Sequence, residues 1–228
     1  MHISLTSQWS SLTGTLLLML VSMVHGENMT STMNVKMLNI SYRSPFGDML
    51  DEAIKLSQGM NHLISKLSTH FNRFYANDRG FHKRIIRCHT SALSRPENKE
   101  QAQNTELEVL LKLAHNLLQA WVNPLYHLWA EMGDKLGYTP PDLTKALEIK
   151  SINRRLIEDM KNIIQKANYA LEENVNTPAW SELASLHSTN RDTRYFAFYK
   201  LFHCLGNDSR DVEMYLKLVK CQMVQRNC

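Results

Sequence analysis

Four long stretches of this sequence carry apolar residues at alternating steps of three and four, the spacing that places them on one side of an α-helix. The predicted helices span 46–74, 107–132, 142–171 and 190–219. Elsewhere, too, the chain lacks the apolar–polar alternation, sustained over many residues, that a half-buried strand requires. The sequence therefore predicts an all-α fold.

Local signals mark where these helices begin, bend and end. Pro45 suits a first helical position, and Asp142, after a proline, suits the start of the third helix. Pro124 has no N–H to donate and should kink the second helix, which is expected to end near Gly133. Gly206 lies inside the fourth helix, where it costs about 1 kcal/mol relative to alanine.

The lengths of the connections favour one topology. Residues 76–104 and 172–189 form long connections, whereas 133–141 is short. Antiparallel neighbours need only short loops, but parallel neighbours need a crossover along the length of the bundle. Long, short and long connections predict an up-up-down-down four-helix bundle with two crossover loops, the architecture of long-chain helical cytokines.

The amino-terminal residues have the pattern of a secretion signal. An apolar run over 15–24 is too short to span a membrane, and small or medium residues precede Glu27. We expect 1–26 to be a signal peptide, with cleavage after Ser22 as the alternative. The rest, 27–228, is predicted to be one secreted domain whose first residues, 27–45, are flexible. No later stretch approaches the ~18 apolar residues of a membrane helix.

Export would expose four cysteines, Cys88, Cys204, Cys221 and Cys228, to an oxidising compartment, where an even count indicates two disulfides. Cys204 and Cys221 are predicted on one helix, roughly 25 Å apart, which is too far to bond. Pairing Cys204 with Cys228 would need an almost fully extended tail. We therefore expect Cys88–Cys204 and Cys221–Cys228.

Two surface features bear on the class of partner. Asn28, Asn39 and Asn207 each begin an N-glycosylation sequon, which is relevant only if the chain is exported. The net charge of +4 is mild, and the chain has neither a long basic run nor aromatic residues interleaved with one. Nucleic acid is therefore not an expected partner.

The residues around the cysteines resemble those of the prolactin and growth hormone family. The chain reads CHTSALSRPENKEQAQ over 88–103, where only Arg95 departs from the family's pattern. The family's second signature is matched throughout by Cys204, Leu205, Asp208, Ser209, Tyr215, Leu218 and Cys221. The stretches WVNPLYHL and PAWSEL, which begin at Trp121 and Pro178, are more similar to prolactin than to growth hormone.

The resemblance covers nearly all of the chain from about Pro45 onward. It implies the same helical bundle and the same disulfide pairing that helix geometry suggested. The amino-terminal cysteine pair of many prolactins is absent, as it is in several placental members of the family. The chain is thus identified as a divergent, placental type of prolactin-related protein.

The resemblance also implies a first receptor site on the first and fourth helices. Three histidines that face the receptor in prolactins, and can bind zinc, are replaced by Gln58, Asn61 and Arg210. Amide and guanidinium groups substitute poorly for imidazole as metal ligands or titrating groups. Three more residues are expected at this site: Glu213, Tyr215 and Lys217. A glycan on Asn207 would stand on the same face.

A second receptor site of the family depends on a glycine in the third helix. The corresponding stretch here is LIEDM, so Asp159 fills the notch that the glycine would leave. Burial of a carboxylate without a partner is costly. We therefore expect impaired engagement of two prolactin receptors.

These residues predict a secreted prolactin-like hormone that binds the extracellular domain of a single-pass cytokine-type receptor, with altered or lost use of the prolactin receptor. The rival hypothesis is a growth factor that binds heparin-like polysaccharide through Lys83, Arg84 and Arg87. An enzyme is not expected, because no nucleophile elbow or phosphate loop is present. The spacing of the histidines and cysteines predicts no metal site, and no cofactor is expected.

Overall fold

Four long helical segments, packed side by side, account for most of the described chain. The structure, a computed structural model, describes residues 44–171 and 177–225. The predicted signal peptide, nearly all of 27–45, Asn28, Asn39 and Cys228 lie outside these ranges. The α-helices are α1 (Pro45–Phe71), α2 (Lys99–Gln103), α3 (Leu107–Ala120), α4 (Val122–Leu136), α5 (Pro140–Lys166), α6 (Leu183–Leu186) and α7 (Arg191–Lys220). Within the described ranges there is no strand, as the all-α prediction requires.

Pairs of side chains across the helices give the topology. Gln58 contacts Glu213 and Phe71 contacts Phe198, so α1 and α7 run in opposite directions. Glu52 pairs with Arg155 and His70 with Asp142, so α1 is also antiparallel to α5. The same holds for α3 and α4 against α5, where Asn153 binds Leu118 and Lys150 lies over Trp129. Because each neighbour is antiparallel, α1 runs parallel to α3 and α4, and the up-up-down-down prediction is confirmed.

The first long helix begins where the sequence signals place it. Ser44 accepts a hydrogen bond from the backbone N–H of Gly47 at 3.0 Å, and Pro45 occupies the first helical position. The helix continues for 27 residues and passes into a π-helical turn, Asn72–Ala76. Its buried stripe contains Leu50, Met60 and Leu67, which pack into the bundle core.

The second predicted helix is broken at Trp121 into α3 and α4, close to the kink expected from Pro124. Pro124 cannot donate to the carbonyl of Ala120, one turn earlier, and that carbonyl lies 3.1 Å from Nε2 of His89 instead. Leu118, also at the break, has its carbonyl bound by the side-chain amide of Asn153 at 3.0 Å. Groups from two other segments therefore satisfy the backbone that the break exposes.

Two helix ends differ from the sequence prediction. The helix expected to end near Gly133 continues to Leu136, because Gly137, with a φ of 61°, is the glycine that ends it. Gly133 lies inside α4 and faces Leu143 of α5, from which an added Cβ would be 3.4 Å away, an ordinary packing distance. The third helix starts earlier than predicted and ends at Lys166 rather than at 171, before a left-handed Asn168.

A disulfide fastens the first crossover to the bundle. Cys88 and Cys204 are bonded, with their Cα atoms 5.6 Å apart, and the bond closes a separation of 116 residues. This half of the predicted pairing is confirmed. The Cys221–Cys228 pairing involves a residue outside the described ranges and stays a prediction. As a result of the bond, the loop that follows Cys88 lies against α7.

Candidate functional site

Glu213 joins α1 to α7 in a polar cluster on the surface of the bundle. Its carboxylate accepts hydrogen bonds from Gln58 at 3.3 Å, from Asn61 at 2.5 Å and from Lys217 at 2.5 Å. Partial burial would raise the pKa of Glu213, but the hydrogen bonds from these three side chains outweigh it and lower that pKa. The structure thus brings together four of the six residues expected at the first site.

Asn61 is held on its other side as well. Its side-chain oxygen accepts a hydrogen bond from the hydroxyl of Ser209, and its amide lies 3.4 Å from the carbonyl of the same residue. Ser209 is 2% exposed and sits one turn from Glu213 on α7. The amide at this position is therefore fixed by contacts to α7, which leave it little freedom to reorient.

Arg210 lies beside the cluster and contacts the sequon asparagine. Its guanidinium donates to the side-chain oxygen of Asn207 at 2.5 Å, while the nitrogen of that amide is 3.1 Å from Nε2 of His203. These side chains line a groove of about 520 Å³ between α1 and α7, which also includes Ser65 and Thr69. A glycan on Asn207 would start at the rim of this groove.

A second groove, of about 540 Å³, lies between α2 and α7. It is lined by Lys99, Gln103, Arg210, Glu213, Met214, Lys217, Leu218 and Cys221. Sequence reasoning did not place Lys99, Gln103 or Met214 at the site, because α2 has only five residues and leaves no periodic pattern. The available signal was Asn98, which caps α2 by accepting from the N–H of Gln101 at 2.9 Å.

Tyr215 is not at this surface, contrary to the sequence prediction. It is 1% exposed and faces the core, because the turn of about 100° per residue along α7 places it on a different side from Glu213 and Lys217. Burial raises the pKa of Tyr215 to about 12. Its hydroxyl has no hydrogen-bond partner among the described residues. A residue so placed stabilises the bundle from its core.

Asp159 lies on α5, on the side that faces α1. Its side chain is 30% exposed, and Arg155 approaches it at 3.9 Å while also pairing with Glu52 of α1 at 3.0 Å. Within the described ranges its Oδ2 atom is buried without a hydrogen-bond partner. Burial raises the pKa of Asp159, Arg155 opposes the rise, and the carboxylates of Glu52 and Glu158 add to it. The position therefore carries a poorly paired carboxylate.

A third group of polar residues binds the first crossover to α7. Asp208 is 2% exposed and accepts hydrogen bonds from the Thr90 hydroxyl at 2.7 Å and from the Trp121 indole at 2.8 Å. Arg95 donates to Asp208 at 2.8 Å and to Asp211 at 3.0 Å. Buried carboxylates are tolerated in proteins when they are paired and hydrogen-bonded in this way.

The basic loop of the polysaccharide hypothesis is exposed, but one of its cations is already paired. Arg84 is 2.6 Å from Asp192 and stacks on the rings of Phe81 and Phe196, while Lys83 and Arg87 are exposed. The hypothesis stays a prediction. Over 44–171 and 177–225, no helix is long and apolar enough to cross a membrane, and no three His, Cys, Asp or Glu side chains gather as metal ligands would.

The up-up-down-down bundle, its crossovers and the disulfide are those of a long-chain helical cytokine. The family model described as the somatotropin hormone family matches residues 17–228, and the chain belongs to that family. It is 61% identical over 228 residues to a mouse protein named Prolactin-4A1, and the similarity covers the full length of both chains.

Proposed function

We propose that this protein is a secreted hormone that binds the extracellular domain of a single-pass cytokine-type receptor through α1, α7 and the first crossover. Membership of a hormone family, and a relative named as a prolactin, support this class of function. The contacts come from Gln58, Asn61, Arg210, Glu213 and Lys217. Tyr215 is left out of the proposed surface because it is buried.

The observation that carries the proposal is the adjacency of a polar cluster to a partly apolar groove. Glu213 and Lys217 belong both to the cluster around Glu213 and to the groove between α2 and α7, where Met214 and Leu218 supply apolar surface. Protein interfaces obtain most of their binding energy from a few anchors in pockets, surrounded by polar contacts that exclude water. A groove beside a fixed polar cluster supplies both parts.

The replacement of histidines by Gln58, Asn61 and Arg210 supports altered use of the prolactin receptor. The side-chain amide of Gln58 is hydrogen-bonded to Glu213, and that of Asn61 is hydrogen-bonded to Glu213 and Ser209. Neither position therefore offers the free imidazole that prolactins present. The affinity for the usual prolactin receptor is therefore proposed to be reduced, with another receptor of the same type as the partner.

The test is a binding screen of the glycosylated protein against the extracellular domains of the prolactin receptor, the growth hormone receptor and related cytokine receptors. For the domain that binds, Lys217→Ala should weaken affinity roughly tenfold or more, because the substitution removes a charge and groove surface together. Lys166→Ala, an exposed lysine at the end of α5, is the matched control and should have no effect.

If none of the receptor domains binds the protein, the proposed function is refuted. Salt-dependent retention on heparin, lost in a Lys83→Ala, Arg87→Ala double variant, would in that case favour the polysaccharide hypothesis. Equal loss of affinity in the Lys217 and Lys166 variants would show that the proposed surface is misplaced.

A further inference from the structure

Arg95 occupies the one position at which residues 88–103 depart from the family's signature, and it lies in the short segment between Cys88 and α2. Its side chain is 22% exposed and reaches α7. One guanidinium nitrogen donates to Asp208 at 2.8 Å and to Asp211 at 3.0 Å, while the other donates to the backbone carbonyl of Thr90 at 3.0 Å. A single side chain therefore joins the crossover backbone to two successive turns of α7.

The chemistry of this contact requires an arginine. The planar guanidinium presents several N–H donors in a fixed arrangement, whereas a lysine ammonium is a point charge on a flexible stem. Asp208 is nearly fully buried and already accepts bonds from Thr90 and Trp121, and Asp211 is one helical turn away. Among the described residues, Arg95 is the cation paired with both carboxylates.

The contact lies directly before the wall of the groove between α2 and α7. After Arg95, three residues lead to α2, whose Ala102 is buried against the bundle and whose Lys99 and Gln103 line the groove. The opposite wall begins at Arg210, between the two carboxylates that Arg95 binds. The same guanidinium therefore ties the segment that precedes one wall to the helix that forms the other.

We propose that Arg95 is a positioning residue, which holds α2 against α7 and so keeps the groove open in the shape that binds the partner. The inference rests on the proposed function for the identity of the partner, a receptor that inserts an apolar side chain into the groove. Without the clamp, α2 would keep its Asn98 cap, the burial of Ala102 and one hydrogen bond from Gln222 to the carbonyl of Gln103 at 3.1 Å. A five-residue helix is too short to be stable by itself.

The experiment is hydrogen exchange of the full, disulfide-bonded protein, measured for wild type, Arg95→Gln and Arg95→Lys. Amides over 93–105 should exchange about tenfold faster in Arg95→Gln, while amides of α1 and α5 keep their rates, because opening is confined to the clamped segment. Arg95→Lys should resemble Arg95→Gln, since charge without the planar fork cannot make the three contacts. Arg154→Gln, an exposed arginine of α5, is the matched control.

Unchanged exchange over 93–105, or a uniform increase in all four long helical segments, would overturn the positioning role. The second readout is the affinity for the receptor domain identified in the screen, which should fall at least fivefold in Arg95→Gln. Equal affinity despite faster loop exchange would also overturn it. If exchange changes as expected but no receptor domain binds the wild type, the proposed function fails and the assignment of Arg95 to the groove stands.

Discussion

At the scale of single residues, α7 places side chains that are close in the sequence on different sides of the helix. Glu213 and Lys217 are four residues apart and pair on one face at 2.5 Å. Tyr215 lies between them in the chain but points into the core. Adjacency in a signature therefore says little about function, because a helix distributes neighbouring residues over all of its sides.

The burial of Tyr215 predicts a graded effect of substitution on stability. Tyr215→Ala would leave a cavity and should lower the free energy of unfolding by about 3–5 kcal/mol, measured by urea denaturation. Tyr215→Phe removes a hydroxyl without a hydrogen-bond partner among the described residues, so it should be neutral or stabilising. A loss of stability in the phenylalanine variant as large as that in the alanine variant would contradict this account.

At the scale of elements, the break between α3 and α4 is held by groups outside the helix. His89, in the crossover, donates to the carbonyl of Ala120, which Pro124 leaves free. The histidine is partly buried, and its ring also meets that of Trp121 edge-on, with centroids 4.8 Å apart. His89 therefore joins the first crossover to the break between α3 and α4, and the disulfide joins the same crossover to α7.

This arrangement predicts a pH dependence of stability. Burial lowers the pKa of His89, against opposing effects of Ala120 and Asp208, and burial also lowers that of His115. Below the unfolded-state pKa of about 6.5, the unfolded chain takes up protons that the folded state resists, so stability falls as pH drops from 7 to 5. The slope per histidine is at most about 1.4 kcal/mol per pH unit.

Urea unfolding at pH 7, 6 and 5 measures this dependence. His89→Gln keeps a donor for Ala120 but does not titrate, so its stability should vary less with pH than that of the wild type. An identical pH profile for the two proteins would mean that His89 has the same proton affinity in the folded and unfolded states.

At the scale of the whole molecule, two faces of the bundle differ in how their polar groups are paired. The α1–α7 face has paired polar groups beside a groove. The α1–α5 face has Asp159 with a shielded oxygen and an arginine 3.9 Å away. A partner that covered the second face would have to remove this carboxylate from water without supplying a bond, which is costly.

The stoichiometry of the receptor complex should reflect this difference. With the receptor domain identified in the screen, the wild type should form a complex of one hormone and one receptor domain by light scattering. Asp159→Gly should add a second receptor domain, because it removes the carboxylate and opens a notch. Glu158→Gly, its exposed neighbour on α5, is the control for the cost of a helical glycine. A two-receptor complex of the wild type would refute the account.

The sequence by itself determined the helices, their order and the class of fold. Apolar residues at helical spacing, the lengths of the connections and the position of Cys88 and Cys204 were sufficient, because these depend on local geometry and on burial along one side of a helix. It also named Glu213, Lys217, Gln58 and Asn61 through the family resemblance. The structure placed these four together around one carboxylate.

Only the tertiary structure decided which residues of a signature face the solvent and which lie in the core. Gly137 rather than Gly133 ends α4, because Gly137 is the glycine that adopts the left-handed conformation after the last turn. Tyr215 is buried, whereas Lys99 of the short helix α2 lines the groove and Arg95, just before that helix, binds α7. These outcomes depend on contacts between residues that are far apart in the chain, and no local pattern encodes the partner that each side chain meets on folding.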